Sequence, residues 1–138
     1  MGTVSFFAQR VLATVTIEFS QPTSILRMFD VDKAREFYVG FLGFQVTWEH
    51  RFGDNFPLYM EIARGGCIIH LSEHHGDCTP VSALRIPVSD TAALHAELKG
   101  SDYRFLKPGY DSSEKEICLT DPFGNRLIFF QPEAPASL

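Results

Sequence analysis

The sequence has little of what marks membrane, secreted or nucleic-acid-binding proteins. No apolar run approaches the roughly 20 residues that span a bilayer, and the stretch from Phe6 to Phe19 lacks the basic start and small-residue end of a signal peptide. Cys67, Cys78 and Cys118 form no Cys-x-x-Cys pair, which favours reduced thiols in a cytoplasmic protein. The net charge of −5 argues weakly against nucleic acid and anionic membranes as partners.

The 138 residues predict one domain, or two half-sized modules that share a core. Residues 1–21 form an N-terminal extension, in which the largely alternating stretch from Val11 to Phe19 predicts an extra strand. The domain itself covers residues 22–131. Residues 132–138 are a Pro/Ala-rich tail that we expect to be loose.

Two copies of a strand–turn–helix unit organise the domain. In the first copy, Asp30 can cap a helix, an apolar stripe at helical spacing follows, and Gly43 can adopt the left-handed conformation that ends the helix. A weaker copy runs from Leu84 to Gly100, about sixty residues later along the chain. Further strands follow each copy, so the predicted plan is βαβββ twice, with module one at 22–72 and module two at 82–131.

The predicted elements can be given in chain order. Module one has a strand, a helix and three strands: Pro22–Met28, Val31–Leu42, Phe44–His50, Pro57–Ala63 and Cys67–Ser72. A polar connector, Glu73–Pro80, follows. Module two repeats the order: Ser82–Val88, Thr91–Lys99, Tyr103–Lys107, Lys115–Thr120 and Arg126–Gln131.

Alternation along the strands gives the sheet an apolar face and a mixed face. The apolar set must be the face that the helices cover; it comprises Leu26, Met28, Leu58, Met60, Ile62, Ile69, Leu71, Leu84, Ile86, Ile117, Leu119, Leu127 and Phe129. The mixed face carries aromatic side chains and charges of both signs. It is either a cup for a ligand or a solvated surface with exposed ion pairs.

The candidate ligand-binding residues come from this mixed face. They are Arg27, Trp48, Tyr59, Glu61, His70, Arg85, Glu116 and Arg126. For Trp48 the parity favours the core or a dimer interface slightly over a ligand-stacking wall. His70 with Glu73 or His74 is a candidate metal site, whereas a hydrogen-bonded linker with His70 lining the cup is the favoured interpretation of that segment.

Two motifs resemble those of the vicinal-oxygen-chelate superfamily. They are D-x-x-K-A-x-x-F-Y-x-x-x-L-G-F from Asp30 to Phe44, and D-P-x-G-N-R from Asp121 to Arg126. The superfamily includes glyoxalase I, extradiol dioxygenases, fosfomycin-resistance enzymes and bleomycin-resistance proteins. The resemblance covers Thr23 to Gln131. It implies an α+β fold of tandem βαβββ modules, a cup-shaped mixed sheet with helices outside, and a homodimer whose ligand sites both modules complete.

The superfamily's metalloenzymes take ligands from four positions, which fall here on Thr23, His70, Ala83 and Ile128. Because a divalent metal needs at least three good donors, the resemblance points away from metal chemistry. It is greatest to the bleomycin-resistance branch, which implies cofactor-free sequestration of a bleomycin-like small molecule and antibiotic resistance. The alternatives are a metal-dependent glyoxalase- or dioxygenase-like enzyme that uses His70 as one ligand, and a scaffold subunit whose cup is plugged. Whether the protein is an enzyme is left open at this point, and a binding protein without enzymatic activity is favoured.

Overall fold

Module one is built on a four-stranded mixed sheet. In the computed structural model, which describes residues 16–103 and 106–133, the sheet order is β1 (Ser24–Arg27), β4 (Cys67–Ser72), β3 (Leu58–Arg64) and β2 (Gln45–Arg51). β1 runs parallel to β4, and the other pairs are antiparallel. This arrangement leaves β2 at the edge of the sheet.

The first helix, α1, follows the predicted stretch but winds differently. Its first turn, Val31–Ala34, is α-helical, and Asp30 Oδ1 accepts a hydrogen bond of 2.9 Å from the backbone N–H of Lys33. The rest, Arg35–Phe41, is a π-helix, although the apolar spacing predicts an α-helix throughout. Gly43 has the expected left-handed backbone, with φ of +75°.

Module two repeats the same order with fewer described strands. β5 (Ala83–Pro87) is parallel to β7 (Arg126–Phe130), which pairs antiparallel with β6 (Glu116–Thr120), and α2 (Thr91–Lys99) follows β5. The α2 cap is Asp90, whose Oδ1 accepts from the backbone N–H of Ala93 at 3.0 Å. The β5-β7-β6 order matches β1-β4-β3 of module one.

Three predicted segments lie partly outside the described residues. Residues 104–105 of the predicted strand Tyr103–Lys107 lie outside the described residues, and the other three residues are not in a strand. Of the predicted N-terminal strand, residues 11–15 lie outside the described part, while 16–19 are exposed and form no strand. Residues 134–138 of the predicted tail also lie outside it.

One core serves both modules. Every member of the predicted apolar set is buried except Leu84, which is half-buried and packs against that core. The predicted α+β class with helices on the apolar side is therefore confirmed. None of the described helices is long and apolar enough to cross a membrane.

A seam of side-chain hydrogen bonds joins the modules. The Tyr38 hydroxyl of α1 donates to Asp121 Oδ2 at 2.6 Å, and burial, followed by the Asp121 charge, raises the pKa of this phenol. Asn125 Nδ2 donates to the backbone oxygen of Arg27 at 2.9 Å. Asp121 and Asn125 therefore do more than build the turn between β6 and β7, because they also join the two modules.

Candidate functional site

A bulge in β2 decides which side chains reach the open face of module one. Val46 pairs with Ile62, but Trp48 pairs with Glu61, so Thr47 is an extra residue that shifts the register. Strict alternation would leave Trp48 on the same side as Val46. The bulge places it beside Glu61 on the open face, so the core position that the parity favoured is wrong.

The exposure of β2 residues agrees with this shift. Trp48 is 43% exposed. The next residue, Glu49, turns towards α1 instead of the open face, and its Oε2 accepts from Arg35 Nη2 at 2.8 Å. The sequence of β2 does not predict the bulge, because a bulged strand and a regular strand show the same alternation before Thr47.

Four side chains on this face form one hydrogen-bonded chain. The Tyr59 hydroxyl lies 2.6 Å from His70 Nδ1, and His70 Nε2 lies 3.0 Å from Glu61 Oε2. The Thr47 hydroxyl donates to Glu61 Oε1 at 2.7 Å. We call Thr47, Glu61, His70 and Tyr59 the polar chain. The strands set its geometry, since Glu61 and His70 are direct cross-strand partners.

The direction of these hydrogen bonds follows from the charge on Glu61. Hydrogen bonds from Thr47 and then His70 lower the pKa of this carboxyl, so it is ionised at neutral pH and only accepts. For a neutral imidazole, Nε2 then carries the hydrogen and Nδ1 accepts from the Tyr59 hydroxyl. Burial, then the charges of Asp77, Cys78 and Glu61, raises the pKa of Tyr59, which keeps the phenol protonated. The hydrogens of Thr47, His70 and Tyr59 are therefore used in bonds within the polar chain. The oxygens of Tyr59 and Glu61 keep lone pairs that can accept further hydrogen bonds.

Aromatic rings cover the polar chain. Trp48 and Tyr59 stack with centroids 5.8 Å apart and planes 10° apart, and we call this pair the aromatic shelf. The His70 ring meets both edge-on, at 5.3 Å from Trp48 and 5.2 Å from Tyr59. Farther along the face, Phe52 is 73% exposed. The shelf therefore offers an exposed flat surface directly beside a carboxylate.

Arg27 lies on the expected side of the sheet but is not exposed there. Its side chain is buried, and its guanidinium donates to the carbonyl oxygens of Ser72 at 3.1 Å, His75 at 3.0 Å and Cys78 at 2.6 Å. The connector folds back over the end of β4 and encloses this side chain. Parity therefore gave the correct side of the sheet for Arg27, but the connector that this side chain holds in place covers it.

The open face of module two carries the other predicted residues. The Arg85 guanidinium lies 4.3 Å from the centroid of the Phe130 ring, and its Nη1 is 3.4 Å from Glu116 Oε2. Arg126 Nη2 donates to Cys118 Sγ at 3.2 Å. Parity placed these residues correctly, but they form separate exposed contacts. For all the predicted site residues, a role in ligand binding stays a prediction.

The residues present do not fit a metal centre of the kind the superfamily's enzymes carry. Both ring nitrogens of His70 already have hydrogen-bond partners, and Glu73 Oε1 accepts from the backbone N–H of Leu58 at 2.9 Å. Ala83 and Ile128 offer no side-chain donor atom. Within residues 16–103 and 106–133, no group of three or more His, Cys, Asp or Glu side chains is placed to hold a metal ion.

Two shallow grooves lie outside the open face of module one. One, of about 410 Å³, is lined by residues between His95 and Tyr110, and the other, of about 320 Å³, lies beside Asp121. Neither includes a predicted ligand-binding residue. Neither groove is formed by the open face of module one.

A family model described as glyoxalase superfamily protein matches residues 8–134. The chain belongs to the glyoxalase superfamily. This confirms the resemblance drawn from the motifs at Asp30 and Asp121.

Several solved structures share the fold of this chain. The bleomycin-binding protein of Streptomyces verticillus, crystallised with copper(II)-bleomycin, is 30% identical with a TM-score of 0.60, over 86% of this chain and 100% of that one. An antibiotic-binding protein of a Streptomyces species is 20% identical with a TM-score of 0.63, over 86% and 100% of the two chains. Trypanothione-dependent glyoxalase I of Leishmania major is 18% identical with a TM-score of 0.63, over 83% and 87%. No curated protein matches this chain.

Proposed function

We propose that this protein binds and sequesters a planar, cationic small molecule of the bleomycin type, without a metal of its own. The observation that carries the proposal is the aromatic shelf lying directly beside the polar chain. The aromatic shelf and the polar chain each favour a particular feature in a ligand, and one class of small molecule has both features.

The shelf favours a flat ring system. Trp48 already stacks on Tyr59 and keeps an exposed indole surface. A planar heteroaromatic group can extend this stack, which typically contributes about 0.5–1.5 kcal/mol beyond the area buried. A cationic group over the indole gains a further attraction from the negative face of the ring.

The polar chain favours a ligand that donates hydrogen bonds. Its hydrogens are used internally, so Tyr59 and Glu61 offer lone pairs to an incoming group. The ionised carboxylate adds negative charge, and Arg27 does not oppose it on this face because its guanidinium is enclosed by the connector. Ammonium, amidinium or guanidinium groups meet both conditions.

The comparisons and the composition support the same class of ligand. The 30%-identical protein of S. verticillus is described as binding bleomycin. The net charge of −5 of this chain suits a cationic partner. We further propose that the protein acts in the cytoplasm and confers antibiotic resistance by holding the drug.

We also propose that a second copy of the chain completes the site. The open face of module one exposes Ile25, Trp48 and Ile68, and a partner face would turn this surface into a groove. In a homodimer the ligand would lie between two such faces, where water is excluded and the contribution of Glu61 increases.

Calorimetric titration of chelator-treated protein with metal-free bleomycin tests the proposal. We expect saturable binding, no dependence on added divalent metal, and recovery of chemically unchanged drug by mass spectrometry. Chemical conversion of the drug that requires an added divalent metal would replace sequestration by enzymatic activity. Heat that appears only with a metal would contradict metal-independent binding.

A further inference from the structure

Tyr59 has a different hydrogen-bond partner from two other tyrosines of the chain. Its hydroxyl bonds to an imidazole nitrogen at 2.6 Å, whereas Tyr38 donates to the carboxylate of Asp121 and the Tyr110 hydroxyl bonds to that of Thr91. Of these three tyrosines, Tyr59 is the one whose hydroxyl meets an imidazole nitrogen, a group that can take up a proton and remain in place as a hydrogen-bonded cation.

This geometry matters for loss of an electron from the phenol. A phenol that loses one electron becomes a very strong acid, so the oxidation is favourable only if a nearby base takes the proton. At 2.6 Å the proton has a short path to His70 Nδ1. The imidazolium that results faces the Glu61 carboxylate at 3.0 Å, and this charge-assisted hydrogen bond stabilises it.

Trp48 connects this pair to the surface. Its ring is nearly parallel to that of Tyr59 at 5.8 Å between centroids, and 43% of the residue is exposed. An oxidant too large to reach the Tyr59 hydroxyl can still contact the indole. The stacked rings give an electron a direct route from Tyr59 to Trp48.

We propose that Trp48 and Tyr59 form a one-electron oxidation site, with His70 as the proton acceptor. A one-electron oxidant, such as a metal-bound oxygen species or an organic radical, takes an electron from the indole. Tyr59 returns an electron to the indole as its O–H bond breaks and the proton moves to His70 Nδ1. The oxidant is reduced by one electron, and the site is left as a neutral phenoxyl radical beside an imidazolium paired with Glu61.

Fast oxidation of the purified protein by azide radicals, followed by absorption and electron paramagnetic resonance, tests this site. We expect an initial tryptophanyl signal, from the one tryptophan of the chain, to decay into a tyrosyl signal. Tyr59→Phe should abolish that conversion. Tyr110→Phe is the matched control and should leave it unchanged, because Tyr110 stacks on His95 at 5.1 Å but bonds to a hydroxyl.

The role of His70 needs a separate readout. His70→Gln should slow formation of the tyrosyl signal about tenfold, since it replaces a base by an amide and removes the charge-assisted hydrogen bond to Glu61. Replacing H₂O by D₂O should slow the same step in the wild-type protein. This experiment tests the proton transfer without a substitution. Equal tyrosyl yields in Tyr59→Phe and wild type would overturn the proposal, as would rates that neither D₂O nor His70→Gln changes.

Discussion

The two open faces of this protein occupy corresponding places in tandem modules but differ in how their charges are held. On module one, the side chains of His70 and Glu61 are 18% and 21% exposed and belong to a continuous chain with Tyr59 and Thr47. On module two, Arg85 and Glu116 are 55% and 34% exposed and meet at 3.4 Å. Water screens the second pair far more strongly.

The difference shows that a repeated fold does not imply a repeated site. Both modules place polar side chains on their open strands, yet only module one combines them with a stacked aromatic pair within the described residues. On module two the guanidinium of Arg85 lies over the ring of Phe130. We therefore assign ligand binding to module one and expect module two to contribute support.

Removing the hydrogen bonds of the seam tests whether the two modules, each with its open face, unfold as one unit. It has the largest expected effect. Asp121→Ala removes the acceptor of Tyr38, Phe123 and Asn125 in the buried interior. Since each orphaned buried donor costs about 1–3 kcal/mol, we expect a loss of at least about 3 kcal/mol in the free energy of unfolding. Urea denaturation followed by circular dichroism measures it.

A matched control is an exposed ion pair between the two modules. Glu97→Ala removes an ion pair with Arg64 whose side chains are 49% and 41% exposed, and should cost less than about 1 kcal/mol. Two separate unfolding transitions in Asp121→Ala would show that the modules fold independently and would contradict a shared core.

A pair of substitutions compares the two faces for ligand affinity. Trp48→Ala should weaken binding of bleomycin by about 2 kcal/mol, or roughly thirtyfold, because it removes the exposed half of the aromatic shelf. Arg85→Ala should change the affinity by less than about threefold, since its ion pair is exposed. Calorimetry measures both. Equal losses would mean that the ligand contacts both faces.

Relief of backbone strain at Val81, the residue after the connector, should stabilise the chain without altering either face. Val81 has a left-handed φ of +64°, which a β-branched residue tolerates poorly. Val81→Asn should raise the free energy of unfolding by about 1 kcal/mol, because asparagine adopts this conformation readily. Val81→Ala is the control and should gain little. A stability of Val81→Asn at or below that of the wild type would refute the strain.

The smallest expected effect is the pH dependence from Glu61. Its folded pKa is lowered, so its contribution is fully present above the unfolded value of about 4.3 and is lost as the pH falls through the folded pKa. Glu61→Gln should therefore have a shallower acid limb in a plot of stability against pH. Thr47→Val should raise the pKa of Glu61, as nuclear magnetic resonance titration can show. Identical acid limbs would contradict the assigned hydrogen bonds.

The fold could be predicted from the sequence because its signals are local. The alternation of Leu58, Met60 and Ile62 and the caps at Asp30 and Asp90 act within a few residues, and the structure confirms them. The two motifs added the superfamily, which the family model confirms.

The site could be predicted only in part because its decisive features are non-local. Parity brought Tyr59, Glu61 and His70 to one face, but the bulge at Thr47 that adds Trp48 depends on pairing with β3. The burial of Arg27 depends on how the connector folds over β4. The π-helical winding of Arg35–Phe41 likewise has no signal in the apolar spacing, which fits an α-helix.

The most direct test of the central claim uses the fluorescence of Trp48, since the chain has one tryptophan. If the open face of module one is the binding site, titration with metal-free bleomycin should change the Trp48 emission saturably, with the same midpoint as the calorimetric curve. Saturable heat with unchanged Trp48 emission would place the ligand elsewhere and contradict the assignment of binding to module one.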